Sequence, residues 1–150
     1  FGFGRTNPGN NKVNTINLVS STGVVATDTT AVGTARDFLA AAGYGGDKAI
    51  FGFGNHGVGY PGQTSMTNLV SNTGVVASDT TGVGTIRNTL AAASYGGDKA
   101  IFGFGHYSFA NPNYVNMTNL VSNTGVVSSD TTGVGLIRDS LAAAGYSTTA

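Results

Sequence analysis

Leu90-Ala91-Ala92-Ala93-Ser94-Tyr95-Gly96-Gly97-Asp98-Lys99-Ala100-Ile101-Phe102-Gly103-Phe104-Gly105 is the stretch that decides the fold. Two short apolar segments flank Gly96-Gly97-Asp98, which has the composition of a hairpin turn. Past the turn the chain alternates with a period of two. Ala100, Phe102 and Phe104 fall on one face, and Ile101, Gly103 and Gly105 on the other. A face of bare glycines lets a second sheet approach closely. Downstream, Met117 to Val121 reads as a third strand, closed by the turn Ser122-Asn123-Thr124-Gly125. Val126 to Ser129 reads as a fourth, running into Asp130-Thr131-Thr132.

The same wording recurs along the chain. Thr-Gly-Val-Val starts at Thr22, Thr73 and Thr124, and Phe-Gly-Phe-Gly at Phe1, Phe51 and Phe102. Asp-Thr-Thr starts at Asp28, Asp79 and Asp130, and two residues separate Arg36, Arg87 and Arg138 from a Leu-Ala-Ala-Ala run. Nearly every spacing is 51; the first copy is one residue shorter. The chain therefore divides into repeats 1–50, 51–101 and 102–150, together one repeat domain, in which each copy buries its faces against a like neighbour. The alanine-rich segment from Thr34 to Gly43 also fits a short helix with Thr34 as N-cap and Gly43 as C-cap. Strand is the preferred reading, where several strands converge and only small side chains fit.

Composition agrees with an all-β chain. The 150 residues are 40% apolar, with 24 Gly, no Glu and a single Gln, so the residues that cover exposed helix faces are scarce. Lys and Arg total seven and Asp and Glu total seven, for a formal net charge of zero. That balance excludes the clustered positive charge that nucleic acid or an anionic membrane requires. Without Cys there is neither a disulfide nor thiolate chemistry. No apolar run approaches membrane-spanning length. A first residue of Phe1 suggests a processed chain or a piece of a longer one.

Four short strands per unit, with Arg-x-x-Leu-Ala-Ala-Ala, a turn and a hydrophobic strand ending in glycines, resemble a blade of a kelch-type β-propeller. The resemblance makes Arg87 and Leu90 to Ala93 the innermost strand and Lys99 to Gly105 the second. Met117 to Val121 is then the third and Val126 to Ser129 the outermost. This sequence has Gly-Phe-Gly where kelch repeats carry a double Gly, and it lacks their Trp. Three blades do not close a ring, since propellers have about four to eight. The resemblance thus implies a partial β-propeller that closes by head-to-tail homo-oligomerisation or within a longer chain. Such joining gives a ring when the rotation suits and a filament when it does not. Gly-Gly-Asp-Lys-Ala-Ile-Phe-Gly-Phe-Gly also resembles tandem repeats in proteins of phages and environmental viral sequences. That likeness implies an extracellular or virion-surface protein, such as part of a tail fibre.

The copies differ mainly in two places. One follows Phe-Gly-Phe-Gly: Arg5 to Asn14, Asn55 to Ser65, and His106 to Asn116. The other follows the arginine: Asp37-Phe38, Asn88-Thr89 and Asp139-Ser140. In an antiparallel meander both sites share one end of the unit, and loops on a rigid scaffold are where binding usually resides. Their Asn, Tyr, His and Phe suit recognition through aromatic contact and hydrogen bonds. The candidate binding residues are Arg5, Asn7, Asn10, His56, Tyr60, His106, Tyr107, Phe109 and Tyr114. The expected partner is a glycan or cell-surface receptor, besides the chain itself; free drift of unconstrained surface loops is the competing reading.

Other motifs carry less. Gly52-Phe53-Gly54-Asn55-His56-Gly57 matches a dinucleotide fingerprint, but two copies break it and no acidic residue stands at the needed distance. His56 and His106 lie in equivalent loops without an Asp, so they read as loop histidines rather than metal ligands or a catalytic pair. Asp28, Asp79, Asp130, Arg36, Arg87 and Arg138 recur unchanged, which points to structure: loop-capping carboxylates, or ion pairs between units. Asp47-Lys48 and Asp98-Lys99 read as solvated turn charges, and Asn116-Met117-Thr118 is the one glycosylation sequon. The expectation is a non-enzymatic recognition or structural module with no catalytic residue, metal or cofactor; the alternative is a purely structural fibre or appendage subunit.

Overall fold

The computed structural model describes residues 1–30, 32–57, 62–107 and 113–146. Every regular element among them is a strand: β1 (Gly2–Arg5), β2 (Lys12–Ile16), β3 (Thr29–Thr30), β4 (Ala40–Tyr44), β5 (Lys48–Gly52), β6 (Thr67–Val70), β7 (Ala91–Tyr95), β8 (Lys99–Gly103) and β9 (Thr118–Val121). They form three antiparallel three-stranded sheets, in the orders β1-β2-β3, β4-β5-β6 and β7-β8-β9. The protein is all-β, and two of the three alanine-rich segments are strands. Among the described residues the third copy's equivalent, Leu141 to Tyr146, joins no sheet and makes one parallel bridge, from Tyr146 to Tyr95.

The two complete hairpins follow from turn chemistry. Gly45 and Gly46 (φ 60° and 80°) and Gly96 and Gly97 (φ 59° and 81°) occupy the left-handed region, which glycine enters at no steric cost. The turns set the registers Tyr44↔Lys48 and Tyr95↔Lys99 and, five pairs in, Ala40↔Gly52 and Ala91↔Gly103. The second strand stops at Gly103 rather than Gly105, where Phe104 turns left-handed at φ 64°, as Phe53 does after β5; the left-handed Phe3 instead makes a bulge inside β1.

The expected fourth strand from Val126 to Ser129 is corrected: it is not a regular strand. It meets the third strand at two isolated bridges, Val121↔Val127 and Thr118↔Thr131. Between those bridges three residues of the outer segment oppose two on β9, so a one-residue bulge interrupts the ladder. The buried Asn119 side chain fills the gap, donating to the Ser128 carbonyl (3.0 Å) and to Asp130 Oδ1 (2.9 Å). Asn68 does the same toward Ala77 and Asp79.

Sheets stack face to face by knob and hole. The Phe102 ring lies on the bare backbone of Gly52, where an added Cβ would stand 2.7 Å from Phe102 Cζ. Phe51 sits in the same way on Gly2, at 3.1 Å. Each ring also meets the second phenylalanine of the preceding copy edge-on, Phe102 with Phe53 at 5.2 Å and Phe51 with Phe3 at 5.1 Å. Burying one such ring is worth about 1.5–3 kcal/mol, and the edge contact about 0.5–1.5 more. The main core lies between the second and third sheets, with Tyr44, Ile50, Phe53, Leu90, Ala100, Phe102 and Val121. A smaller cluster joins Ile16 of the first copy to Val76 of the second.

The glycine holes give a direct stability contrast. Gly52→Ala should lower the unfolding free energy by about 1–3 kcal/mol in urea titration, since it overpacks a closed contact. Gly103→Ala meets only Thr118 Cγ2, at 3.3 Å, and should cost less than half as much. Equal costs at the two positions would contradict the stacking.

Candidate recognition surface

The scaffold beneath the loops is fixed by a repeated buried node. Arg36 and Arg87 are wholly inaccessible to solvent although each carries a charge. The guanidinium of Arg87 lies 4.2 Å from the centre of the Phe53 ring of its own copy. Its three nitrogens donate to the Phe104 carbonyl (2.9 Å), the Thr85 carbonyl (3.2 Å) and Asn119 Oδ1 (2.5 Å). Asp130 of the next copy completes the node at 3.7 Å and accepts the Thr85 amide and hydroxyl at 2.9 and 2.7 Å. Arg36 repeats the arrangement with Phe3, the Phe53 carbonyl, Asn68 and Asp79. A buried guanidinium is tolerable only when paired and hydrogen-bonded in this way.

The titration of the node follows from its surroundings. Burial pushes both guanidinium groups down to about 10, with the neighbouring aspartate opposing, so both stay charged at neutral pH. Burial also pushes the Asp79 and Asp130 carboxyls up. Hydrogen bonds from Thr34 and Asn68, or Thr85 and Asn119, together with the arginine, more than offset this and hold both below their ordinary value.

The stretch after the arginine in one copy is joined to the loop of the following copy. Asp37 bridges to Asn55 and Asn55 to Gln63; one period on, Asn88 bridges to His106 and His106 to Tyr114. Phe38, Thr89 and Ser140 all take a left-handed backbone (φ 54°, 50° and 51°) despite their different side chains. A ladder between copies fixes that turn: the Thr89 amide donates to the Phe38 carbonyl and the Ser140 amide to the Thr89 carbonyl, each at 2.9 Å. The backbone is thus dictated, while side chains there are free to differ.

The candidate residues fall into separate groups. Arg5 forms an ion pair with Asp37, bonds Asn10 Oδ1 at 2.9 Å and lies over the Phe38 ring. Asn7 is exposed nearby. His56 is exposed, and its backbone amide donates to the Gly62 carbonyl. His106, Tyr107 and Tyr114 come together. The His106 ring is 5.7 Å from Tyr114, its Nε2 is 3.0 Å from Asn113 Nδ2, and the Tyr107 amide donates to the Asn113 carbonyl. Tyr60 and Phe109 lie outside the described residues. Lys12 links the first two loops by donating to the Gly57 carbonyl at 2.6 Å.

Sequence reasoning missed Asn68 and Asn119, although a polar residue at the same place in every Asn-Leu-Val strand was a visible signal. It also missed Gln63, which is buried with no partner for its amide among the described residues. Two equivalent apolar clefts, of about 260 and 270 Å³, lie farther out, where a Thr-Gly-Val-Val turn packs against the preceding copy.

The depressed Asp79 and Asp130 predict acid lability with a defined sign. Their contribution is complete above the unfolded value of about 3.9 and is lost as pH falls through the lower folded value. Asp79→Asn with Asp130→Asn should flatten the fall in urea midpoint between about pH 5 and pH 3. An unchanged slope in the double variant would show that the acid sensitivity arises elsewhere.

No protein-family model matches this chain, and no curated protein matches it.

Proposed function

We propose that this protein is a non-enzymatic recognition module: a stack of kelch-like, propeller-type blades whose loop end contacts a glycan or receptor outside a cell, on a virion or an appendage. One observation carries the reading. The Arg–Asp–Asn nodes and the phenylalanine-on-glycine contacts repeat at both internal joints, whereas the loops joined at one end differ in chemistry from copy to copy. The first copy offers Arg5 and Asn10, and the third offers His106, Tyr107 and Tyr114. Tyr114 is 45% exposed, which leaves an aromatic face available beside hydrogen-bonding groups. Such a face suits sugars, which present both C–H surfaces and hydroxyls. The viral resemblance of the repeat supports the virion setting. A second reading, a purely structural fibre or appendage subunit, is favoured by the unmatched surfaces at the two ends of the stack.

A glycan array probed with the whole protein tests the reading. The wild type should bind a limited set of glycans, and Tyr107→Ala with Tyr114→Ala should weaken that binding at least about tenfold, at roughly 1 kcal/mol or more for each central aromatic. Full binding by the double variant would refute the assignment; no glycan bound at all would leave the structural reading.

A further inference from the structure

We infer that the two ends of the stack are complementary halves of one joint, and that a second copy of this chain docks head to tail there, contributing the strand that the first sheet lacks. Inside the chain the joint occurs twice, so its parts are known, and each part stands half-made at the ends. On the tail side, Gly103 carries no phenylalanine ring where Gly2 and Gly52 do. Gly135 has nothing within 4 Å, while its equivalents Gly33 and Gly84 are covered by an asparagine and an aspartate of the following copy. Arg138 keeps its stacking on Phe104, at 4.2 Å, but is exposed and meets no carboxylate among the described residues.

The head carries the missing pieces. Phe1, equivalent to Phe51 and Phe102, is 77% exposed. Asp28, equivalent to Asp79 and Asp130, accepts from Asn17 (2.7 Å) and has neither an arginine nor a threonine partner among the described residues. Gly23 is bare, whereas Gly74 and Gly125 are covered by Leu18 and Leu69; the tail offers Leu120, 41% exposed, for that place. Charge, ring and hole therefore match in both directions.

Backbone pairing matches as well. β5 and β8 are central strands, flanked on one side by an alanine-rich strand, but β1 is an edge strand with that side open. Leu141 to Gly145 lies against β7 without a sheet of its own. By the registers Ala40↔Gly52 and Ala91↔Gly103, Ala142 of one chain pairs with Gly2 of the next. Strand addition at an open edge gives the main-chain bonds, and the alternate side chains give selectivity. Leu136 stands where Thr34 and Thr85 donate a hydroxyl, so the joint between chains has one hydrogen bond fewer than the internal ones and is the weaker.

Sedimentation velocity over a wide concentration range tests the proposal. Wild-type protein should rise from 15.0 kDa through its multiples. Arg138→Asp and Asp28→Arg should each weaken association about tenfold or more, because like charges then face each other at the joint. Mixing the two variants should restore association, since every junction again pairs opposite charges. Gly103→Val should block assembly while leaving circular dichroism unchanged. A lone 15.0 kDa species at every wild-type concentration overturns the proposal. So does association that survives the single charge variants, or a mixture that fails to recover although each variant alone is folded.

Discussion

A phenylalanine ring resting on a glycine backbone of the preceding sheet is the contact on which the rest of the structure depends. Three short strands cannot bury both of their faces, and a sheet of this size is not stable alone. Each sheet therefore presents two unlike faces, one with Ala and Phe as knobs and one with Ile and Gly as holes. The consequence is visible in identical residues at different places along the stack. Ile50 and Phe53 are wholly buried between neighbours, whereas Ile101 and Phe104, with a neighbour on one side only, remain partly exposed. Burial here belongs to the joint between copies and not to the copy.

The arginine node turns that apolar contact into a specific one. Ring-on-glycine packing alone would tolerate sliding along the strand. A guanidinium that must reach a carbonyl, an asparagine oxygen and a carboxylate while lying over a ring has one register in which all are met. With only 9% of residues charged, few alternative ion pairs compete for it. The same node explains why Asn68 and Asn119 are buried in the middle of apolar strands. Each accepts from the arginine through its oxygen and donates to the outer segment through its nitrogen, so one side chain joins both neighbours.

Much of this was legible in the sequence. The period, the hairpin at Gly96-Gly97, the alternation through Phe102 and the close approach permitted by glycine are all local signals, and the strand character of Ala91 to Tyr95 followed from the need for small side chains. What escaped was non-local. Nothing near Val126 in sequence announces that an asparagine side chain seven residues earlier displaces the ladder. Likewise Phe104 is pulled into the left-handed region by contacts from Arg138, thirty-four residues on, against its own preference. In the candidate surface, composition singled out His106, Tyr107 and Tyr114. The engagement of Arg5 by Asp37 and Phe38 depends instead on the two variable stretches meeting at one end of the unit.

That meeting of the variable stretches ties the scaffold to whatever it displays. The Phe38, Thr89 and Ser140 backbones are coupled from copy to copy, so the loop end of each unit is held at a fixed offset from the next. A joint between unlike faces carries no symmetry that would stop growth; the rotation per copy alone selects a closed ring or an open filament. In the head-to-tail assembly proposed here every unit would present its loop end in the same sense, because the joint that adds a unit also fixes its direction. Loops differing in chemistry along one chain would then recur with the period of that chain. A single weak contact site would become a multivalent surface, gaining avidity without any new contact.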